Sequence, residues 1–444
     1  MRTTSLPGRH RRAAAMTAAA VVAGGLLLAA VTVGPRPAAD PLSTVAPAAT
    51  EHRESTDPGA LVSALQLRLR AHPRDGEGWA SLGIAYVEQA RITADPTYYP
   101  KAQRALARAT RLAPRDPVTL TGSATLAAAR HEFRGALRLA DQALAADPYA
   151  AQALAVRADA LTELGRYSEA YTAAVRVNDL KPGTSTFSRL SYQSELRGHL
   201  RRAERLMTEA RQAAGNASSY AFAAFHQGEL ARAEHHRGAA AHLYAAALRA
   251  DPTYAPALAG RARLAVARGD LVAAERDYRA VVARLPLTEY VVELGELYAA
   301  TGRPALAAQQ WSVARVTAAL ARANGVVTDL ETALFEADHG SATAALTAAR
   351  AEWRRRHSIH AADALAWALH ANGRDREALR YGRLATRLGT RDARLLFHRG
   401  SIEAALGHDR AARKHLTAAL RLDDGVSPWR DQHATRLLHR IGAR

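Results

Sequence analysis

A spacing of 34 residues recurs along most of this chain of 444 residues. It is marked by prolines that follow helical stretches, at positions 73, 114, 148, 182, 252 and 286. The intervals are 41, 34, 34, 70 and 34 residues, so 70 is close to two units and 41 is one unit with a seven-residue insert. A fixed period of this length indicates stacked repeats, each of which buries its apolar face only against its neighbours.

The residues inside each unit follow one pattern of apolar, small and aromatic positions. In the first complete unit they are Trp79, Leu82, Gly83, Tyr86, Ala102, Leu106, Ala109 and Pro114. Comparable sets contain Leu154, Leu258, Leu294, Leu365 and Leu396. The pattern resembles the tetratricopeptide repeat (TPR) family over residues 59–424, with about ten units. The resemblance implies an all-α fold, a right-handed α-solenoid of about ten helix-turn-helix repeats.

Small residues have two expected roles in these units. Gly83, Gly295 and Gly400 stand where two helix backbones come closest, and a larger side chain there would overpack the unit. Other glycines fall where the chain leaves the first helix and needs a left-handed residue. These are Gly165, Gly269, Gly302, Gly373 and Gly407.

The two ends of the array carry their own signals. Leu61, Leu65 and Leu69 recur every fourth residue, which predicts a lone amphipathic helix that covers the first repeat. Ser427 and Pro428 supply an N-cap and a first-turn proline for a last helix. The apolar stripe at 434, 437, 438 and 441 then predicts a capping helix within residues 425–444 that closes the solenoid.

The N-terminus has the composition of a targeting segment. Residues 1–12 contain four arginines, and the uncharged run at 13–34 is long enough to cross a hydrocarbon core of about 30 Å. Because positive residues stay inside, we predict a single-pass signal anchor at the cell membrane with the repeats outside the cytoplasm. The alternatives are a cleaved signal peptide, which would release a secreted protein, and a soluble helix. Residues 35–58 predict a linker rich in proline and alanine.

The composition excludes several kinds of site. With no cysteine, the chain has no disulfide, iron–sulfur cluster, thiolate zinc site or cysteine nucleophile. It also lacks the common phosphate-loop, dinucleotide, serine-hydrolase and zincin motifs. The densest histidine group, His226, His235, His236 and His242, is read as solvated turn residues. We therefore predict no enzymatic activity, no cofactor, no metal and no small-molecule substrate.

The TPR resemblance implies that the first helices of the units line a concave face that holds a peptide or protein segment. Projecting the repeat register gives this candidate binding face: Glu77, Glu88, Asp159, Glu163, Tyr192, Glu195, Phe222, Phe225, Glu229, Glu296 and Trp367. Chaperone-binding TPRs use basic residues and asparagine there, so this chain departs from them. Acids with aromatics favour a basic or mixed apolar segment, and a merely solvated face is the alternative.

The basic residues fall elsewhere in the register. The chain has 60 Lys and Arg against 42 Asp and Glu, a net charge of +18. Many arginines lie on second helices, hence on the predicted convex side, and residues 354–356 with His357 and His360 predict a basic surface between repeats. We expect no nucleic-acid partner. The predicted function is a membrane-anchored scaffold for a partner protein; the alternative is a secreted or soluble basic protein that binds a polyanion, namely a cell-wall polymer, phospholipid head groups or nucleic acid.

Overall fold

The computed structural model describes residues 58–423 and 426–443, and within these ranges every regular element is a helix. The predicted N-terminal region, membrane segment and linker at 1–57 lie outside the described residues. The 22 helices of the described part are α1 (Pro58–Ala71), α2 (Gly76–Thr93), α3 (Tyr98–Leu112), α4 (Pro117–Ala129), α5 (Phe133–Ala146), α6 (Ala151–Glu163), α7 (Tyr167–Leu180), α8 (Thr184–Glu195), α9 (Leu200–Gln212), α10 (Ala217–Ala233), α11 (Arg237–Ala250), α12 (Ala255–Ala267), α13 (Leu271–Arg284), α14 (Thr288–Ala300), α15 (Pro304–Ala323), α16 (Asp329–His339), α17 (Ala342–Arg355), α18 (Ile359–Ala371), α19 (Asp375–Ala385), α20 (Ala393–Ala405), α21 (Asp409–Asp423) and α22 (Pro428–Gly442).

Twenty of these helices form ten hairpins, one for each predicted repeat. The hairpins are α2–α3, α4–α5, α6–α7, α8–α9, α10–α11, α12–α13, α14–α15, α16–α17, α18–α19 and α20–α21. Each pair makes the most extensive contact of its two helices. The all-α solenoid predicted from the 34-residue period is therefore confirmed, with α1 before the first hairpin and α22 after the last.

The first helices of the hairpins lie on the inside of the curved array. α2 contacts α4, α4 contacts α6, α16 contacts α18 and α18 contacts α20. In the described ranges, second helices of neighbouring repeats make no comparable contact. Because equivalent helices of neighbouring repeats come closest on the shorter, inner circumference, the first helices form the concave face.

The small residues have their predicted roles. A Cβ atom on Gly83 would lie 2.5 Å from the side chain of Leu106, and one on Gly400 would lie 2.8 Å from Leu416. These glycines let the two helices of a hairpin approach closely. The predicted turn glycines all have positive φ: Gly165, Gly269, Gly302, Gly373 and Gly407.

The leading helix α1 packs with a different stripe from the one predicted. Val62 and Leu69 are buried and Leu65 is partly buried against the core of α2 and α3, whereas Leu61 is 47% exposed. The prediction for Leu61 was wrong because residues 62, 65 and 69 are three and four positions apart. That spacing follows the 3.6-residue turn of a helix more closely than a repeat of four.

Repeats that are one superhelical turn apart contact each other. The amide of Ile359 donates to the hydroxyl of Tyr167 at 2.8 Å, 192 positions away, and the ring of His131 contacts the carbonyl of Val327 at 2.7 Å, 196 positions away. A turn therefore takes between five and six repeats. We call this contact the seam, and it joins residues 130–134, 163–167 and 196–198 to residues 325–327, 354–359 and 387–391.

The last helix, α22, has the predicted capping residues and a wider role. Ser427 is its N-cap, with its side chain accepting from the amide of Arg430, and Pro428 is its first residue. α22 packs against α21, as a terminal cap would, and also against α20 and α14. It therefore lies across the concave face.

Of the helices that the structure describes, none combines the length and the apolar character needed to cross a bilayer. The predicted membrane segment at 13–34 is outside that part of the chain.

Candidate interaction surface

Two of the predicted groove acids link neighbouring repeats. Asp159 on α6 accepts two hydrogen bonds of 2.9 Å from Arg189 on α8. Glu229 on α10 and Glu293 on α14 both accept from Arg263 on α12, at 3.0 and 2.7 Å. Each bond joins the first helices of consecutive repeats. Asp159 and Glu229 therefore hold successive units in register.

The charge state of Glu229 follows from these contacts. Burial alone would raise the pKa of this carboxyl group. Arg232, Arg263 and the hydroxyl of Tyr244 outweigh that effect and lower the pKa to about 2. Glu229 is therefore a permanently ionised part of the inter-repeat network.

Glu163 lies at the seam, where it forms a salt bridge with Arg356. Arg356 also pairs with Glu352 and lies 4.7 Å from the ring centroid of Phe133. The predicted basic surface at residues 354–356 was thus wrong for Arg356, which is 4% exposed. Sequence alone did not indicate that an acid and an aromatic ring from distant repeats, Glu163 and Phe133, would enclose this guanidinium together with Glu352 of its own helix.

The two acids of the first repeat occupy different settings. Glu77 is exposed in the first turn of α2. Glu88, at the other end of the same helix, accepts from the guanidinium of Arg91 at 2.9 Å. Glu77 is consequently the predicted groove acid that remains most open to solvent.

The remaining predicted residues on α8 and α10 are three aromatic side chains and the carboxyl group of Glu195. Tyr192 is partly buried and its hydroxyl is 3.3 Å from the ring of His360, across the seam. Phe225 is 7% exposed and belongs to the core of its repeat, while Phe222 is partly buried beside the ring of His226. Burial, with Asp392 and Glu229 nearby, raises the pKa of Glu195 to about 7.

Glu296 and Trp367 lie beneath α22. The hydroxyl of Ser427 donates to Glu296, whose other carboxylate oxygen is 3.1 Å from the ring of His339. The indole of Trp367 donates to Asp338 at 2.6 Å and belongs to the apolar cluster that includes the buried face of α22. Of the predicted binding residues, these two are the ones that border the bound helix.

Sequence reasoning missed a ladder of stacked rings on the later repeats. Trp311 stacks on His339 and Trp367 stacks on His398, each with ring centroids 4.1 Å apart. His398 is held by Asp363 at 2.9 Å. Since these two residues are 35 positions apart, a search for opposite polar partners one repeat apart would have found the pair.

Two further carboxyl groups are buried without a strong cationic partner. Burial raises the pKa of Glu289 to about 7, although Arg263 acts in the opposite direction. Burial also raises the pKa of Glu331 to about 8, with Arg356 lowering it and Glu352 raising it. Neither buried carboxylate oxygen of Glu331 accepts a hydrogen bond from another residue. Such groups are proton-binding positions near neutral pH.

The prediction that the histidine group consists of solvated turn residues is wrong for His226. This residue lies within α10, where Phe222 and Phe225 enclose its ring and burial lowers its pKa to about 4. Residues 58–423 and 426–443 contain no cluster of three or more histidine or carboxylate side chains placed to hold a metal ion.

Comparison with known proteins gives similarity at the level of helical-repeat architecture. No protein-family model and no curated protein matches the chain. A structure of pilF from Pseudomonas aeruginosa is 20% identical, with a TM-score of 0.37, and the match covers 48% of this chain and 94% of that one. Human IFIT1, solved as a dimer with PPP-AAAA, is 15% identical, with a TM-score of 0.46 and coverages of 74% and 78%. A tetratricopeptide repeat protein from Parabacteroides merdae is 18% identical, with a TM-score of 0.32 and coverages of 58% and 98%.

The fold assignment rests on the geometry of the chain itself. Ten hairpins follow the 34-residue period, glycines stand at the helix crossings and turns, and the first helices form a continuous inner layer. The described chain has a TPR-like fold, an α-solenoid whose concave face carries an inter-repeat ion network and an aromatic–histidine ladder.

Proposed function

We propose that this protein is a scaffold that holds a segment of a partner protein on the concave face of its solenoid. The observation that supports this function is α22 itself. An amphipathic helix is seated across first helices that belong to repeats far from its own position in the chain. A surface that binds one helix through aromatic, apolar and carboxylate groups has the chemistry to bind another.

The later repeats are the better candidates for partner recognition. Asp159, Glu163 and Glu229 are engaged with arginines of the chain, so replacing them would weaken the fold before it weakened a partner contact. His339 and Trp367 instead lie where α22 crosses: the ring of His339 packs against Trp429, and Trp367 shares an apolar cluster with Ala434 and Ile441. We therefore place the recognition surface on the repeats from α14 to α21.

Site-specific photocrosslinking in the full chain tests the scaffold function. A photoreactive residue at Ala371, which is exposed on the first helix α18, is compared with one at Arg201, which is exposed on the second helix α9. A discrete protein adduct from position 371 and none from position 201 would support concave binding. Adducts from position 201 alone would contradict it.

We propose further that residues 13–34 anchor the scaffold in a membrane with the solenoid outside the cytoplasm. The basic residues before this run and its uncharged length support this topology. Protease added to intact, unlysed cells or spheroplasts should digest the solenoid, and N-terminal sequencing should find residues 1–34 retained. Digestion only after lysis would overturn the topology, and loss of the segment would convert the proposal to a secreted protein.

A second candidate function, polyanion binding, is favoured by the charge at the seam. Arg134, Arg354, Arg387 and Arg391 are exposed there and come from repeats at opposite ends of one superhelical turn. Arg134 donates across the seam to the backbone carbonyl of Arg354 at 3.2 Å, and the guanidinium of Arg387 lies 5.6 Å from the ring centroid of Tyr167 on the other side of the seam. A group of exposed guanidinium groups fits a chain of phosphates.

Polyphosphate binding measured over a range of salt concentrations tests this candidate. Replacing Arg134 and Arg387 by Ser should lower the affinity and reduce the salt slope by about one for each lost phosphate contact. The matched control replaces Arg104 and Arg111, exposed arginines of α3, and should change neither. Equal losses in both variants would mean that binding is unspecific.

A further inference from the structure

The C-terminal helix binds the concave face through its first turn. The hydroxyl of Ser427, which is 2% exposed, donates to the buried carboxylate of Glu296 on α14. The indole of Trp429 packs edge-to-face against His339 and Phe397, with ring centroids 5.6 and 6.1 Å apart. The first turn of α22 therefore contacts the ends of three first helices, which belong to repeats seven, eight and ten.

One apolar stripe of α22 continues this contact along the helix. Ala434 and Ile441 are 1% and 5% exposed and share a cluster with Phe397, Leu416 and Trp367. The opposite face of α22 is exposed to solvent at positions 432, 435, 436, 439 and 440. The helix thus behaves as an amphipathic ligand lying on a surface, with one face bound and one face free.

The charges of the two surfaces are complementary. α22 contains three arginines and two histidines against one aspartate, and Arg436, His439 and Arg440 lie on its exposed face. On the bound side, the charges of Asp338 and Glu296 act to raise the pKa of His433 against the effect of burial, and Arg430 is among the groups that lower the pKa of Asp392 against the effect of burial. The basic residues of α22 nearest the solenoid, Arg430 and His433, are therefore close to its carboxyl groups.

The packing of α22 against α21 is incomplete. An open cleft of about 480 Å³ lies between the two helices, lined by Leu420, Thr435, Leu438, His439, Gly442 and Ala443. A terminal cap that completed the hydrophobic core would fill such a space. α22 therefore contacts α21 without filling the space between the two helices.

We propose that the concave face from α14 to α20 is a binding site for a basic amphipathic helix that begins with a hydroxyl residue and an indole. α22 occupies this site and competes for it with a partner helix of the same chemistry. The inference rests on the proposed scaffold function, for which it names the partner class and the regulation. Because α22 is covalently tethered, its effective concentration is high, and a partner must overcome it before binding.

The test uses the full chain with a protease site introduced at positions 424–425, so that the protein folds intact and α22 is then released by cleavage. The probe is a fluorescent peptide of residues 426–444. We expect the peptide to exchange into the cleaved protein saturably and to bind the uncut protein at least tenfold more weakly. Absence of exchange into cleaved protein that keeps its helical circular dichroism would overturn the proposal.

Matched peptides identify the contacts. A Trp429→Ala peptide should bind at least tenfold more weakly, because the indole is lost, and a Gln432→Ala peptide should bind unchanged, because residue 432 faces solvent. Equal binding by the Trp429→Ala peptide would also overturn the proposal. If cleavage unfolds the protein, displacement of α22 is tested instead on the uncut chain. Hydrogen exchange of this chain is measured in the presence of saturating, isotopically heavy peptide. Faster exchange in residues 428–442 supports displacement, and unchanged exchange with peptide bound refutes it.

Failure of the helix-site proposal can be distinguished from failure of the scaffold function. Peptide exchange without any crosslinked partner at position 371 would support the helix site and reject the external partner. A crosslinked partner with no peptide exchange would keep the scaffold and reject competition by α22.

Discussion

Arg356 and Glu163 form a buried salt bridge between residues 193 positions apart, and this bridge joins one superhelical turn of the solenoid to the next. Both side chains are less than 10% exposed, and Glu352 and Phe133 enclose the same guanidinium. A repeat protein is stabilised mainly by contacts between adjacent units. This chain adds a contact between non-adjacent units, which fixes the pitch of the superhelix.

Replacing Arg356 by Met should open the seam. The change leaves Glu163 and Glu352 buried without their cation, at a cost of about 3–5 kcal/mol in the free energy of unfolding. Urea denaturation measures the loss, and hydrogen exchange should be faster at the amides of Ile359 and Val327, which donate across the seam. Arg354→Met is the control, because Arg354 is an exposed neighbour. Equal stability of the two variants would show that the seam does not stabilise the fold.

The buried carboxyl group of Glu331 should make the free energy of unfolding fall as the pH rises. Burial raises its pKa to about 8 in the folded chain, against an ordinary value of 4.5. Between these values the folded state holds a proton that the unfolded state has released, so stability falls as the pH rises from 4.5 towards 8 and levels off above 8. Glu331→Gln removes this loss, and its free energy of unfolding relative to wild type, measured by urea denaturation, should increase from pH 5 to pH 8 by an amount on the order of 4 kcal/mol. Glu77→Gln, at an exposed site, should give a difference that does not vary.

The buried ring of His226 should make the free energy of unfolding fall as the pH falls. Burial between Phe222 and Phe225 lowers its pKa to about 4 from an ordinary 6.5. As pH falls from 6.5 towards 4, the unfolded state binds a proton that the folded state does not, so stability is lost over this window. His226→Phe should reduce the loss between pH 6.5 and 4.5 by roughly 2–3 kcal/mol, measured by urea denaturation. If the wild type and this variant lose stability in parallel, the histidine is not the titrating group.

Gly295 should not tolerate a methyl group. A Cβ atom at this position would overlap the ring of Trp311, which crosses the glycine at the centre of the hairpin. Gly295→Ala is expected to cost about 1–3 kcal/mol through overpacking. Gly238→Ala on α11 is the matched control, since no atom lies within 4 Å of its Cβ, and it should be neutral or stabilise by about 0.4–1 kcal/mol. Thermal melts of both variants decide between packing and backbone effects.

The sequence by itself determined the repeats. The 34-residue period, the glycines at crossings such as Gly83 and the left-handed turns such as Gly165 gave the hairpins and their inner and outer helices. These features depend on contacts within a unit or with the next one, and such contacts recur in the sequence at a fixed spacing. Even the pair of Arg263 and Glu229, which is 34 positions apart, follows from aligning consecutive units.

Only the tertiary structure decided which groove acids remain available and what covers the concave face. Whether Glu163 meets Arg356 depends on the rotation between units summed over more than five repeats, and a small difference in each unit would separate the two side chains. The return of α22 to α14 has the same origin, because Ser427 meets Glu296 across 131 positions. The local pattern specifies each step of the solenoid, and the accumulated curvature specifies which steps face one another.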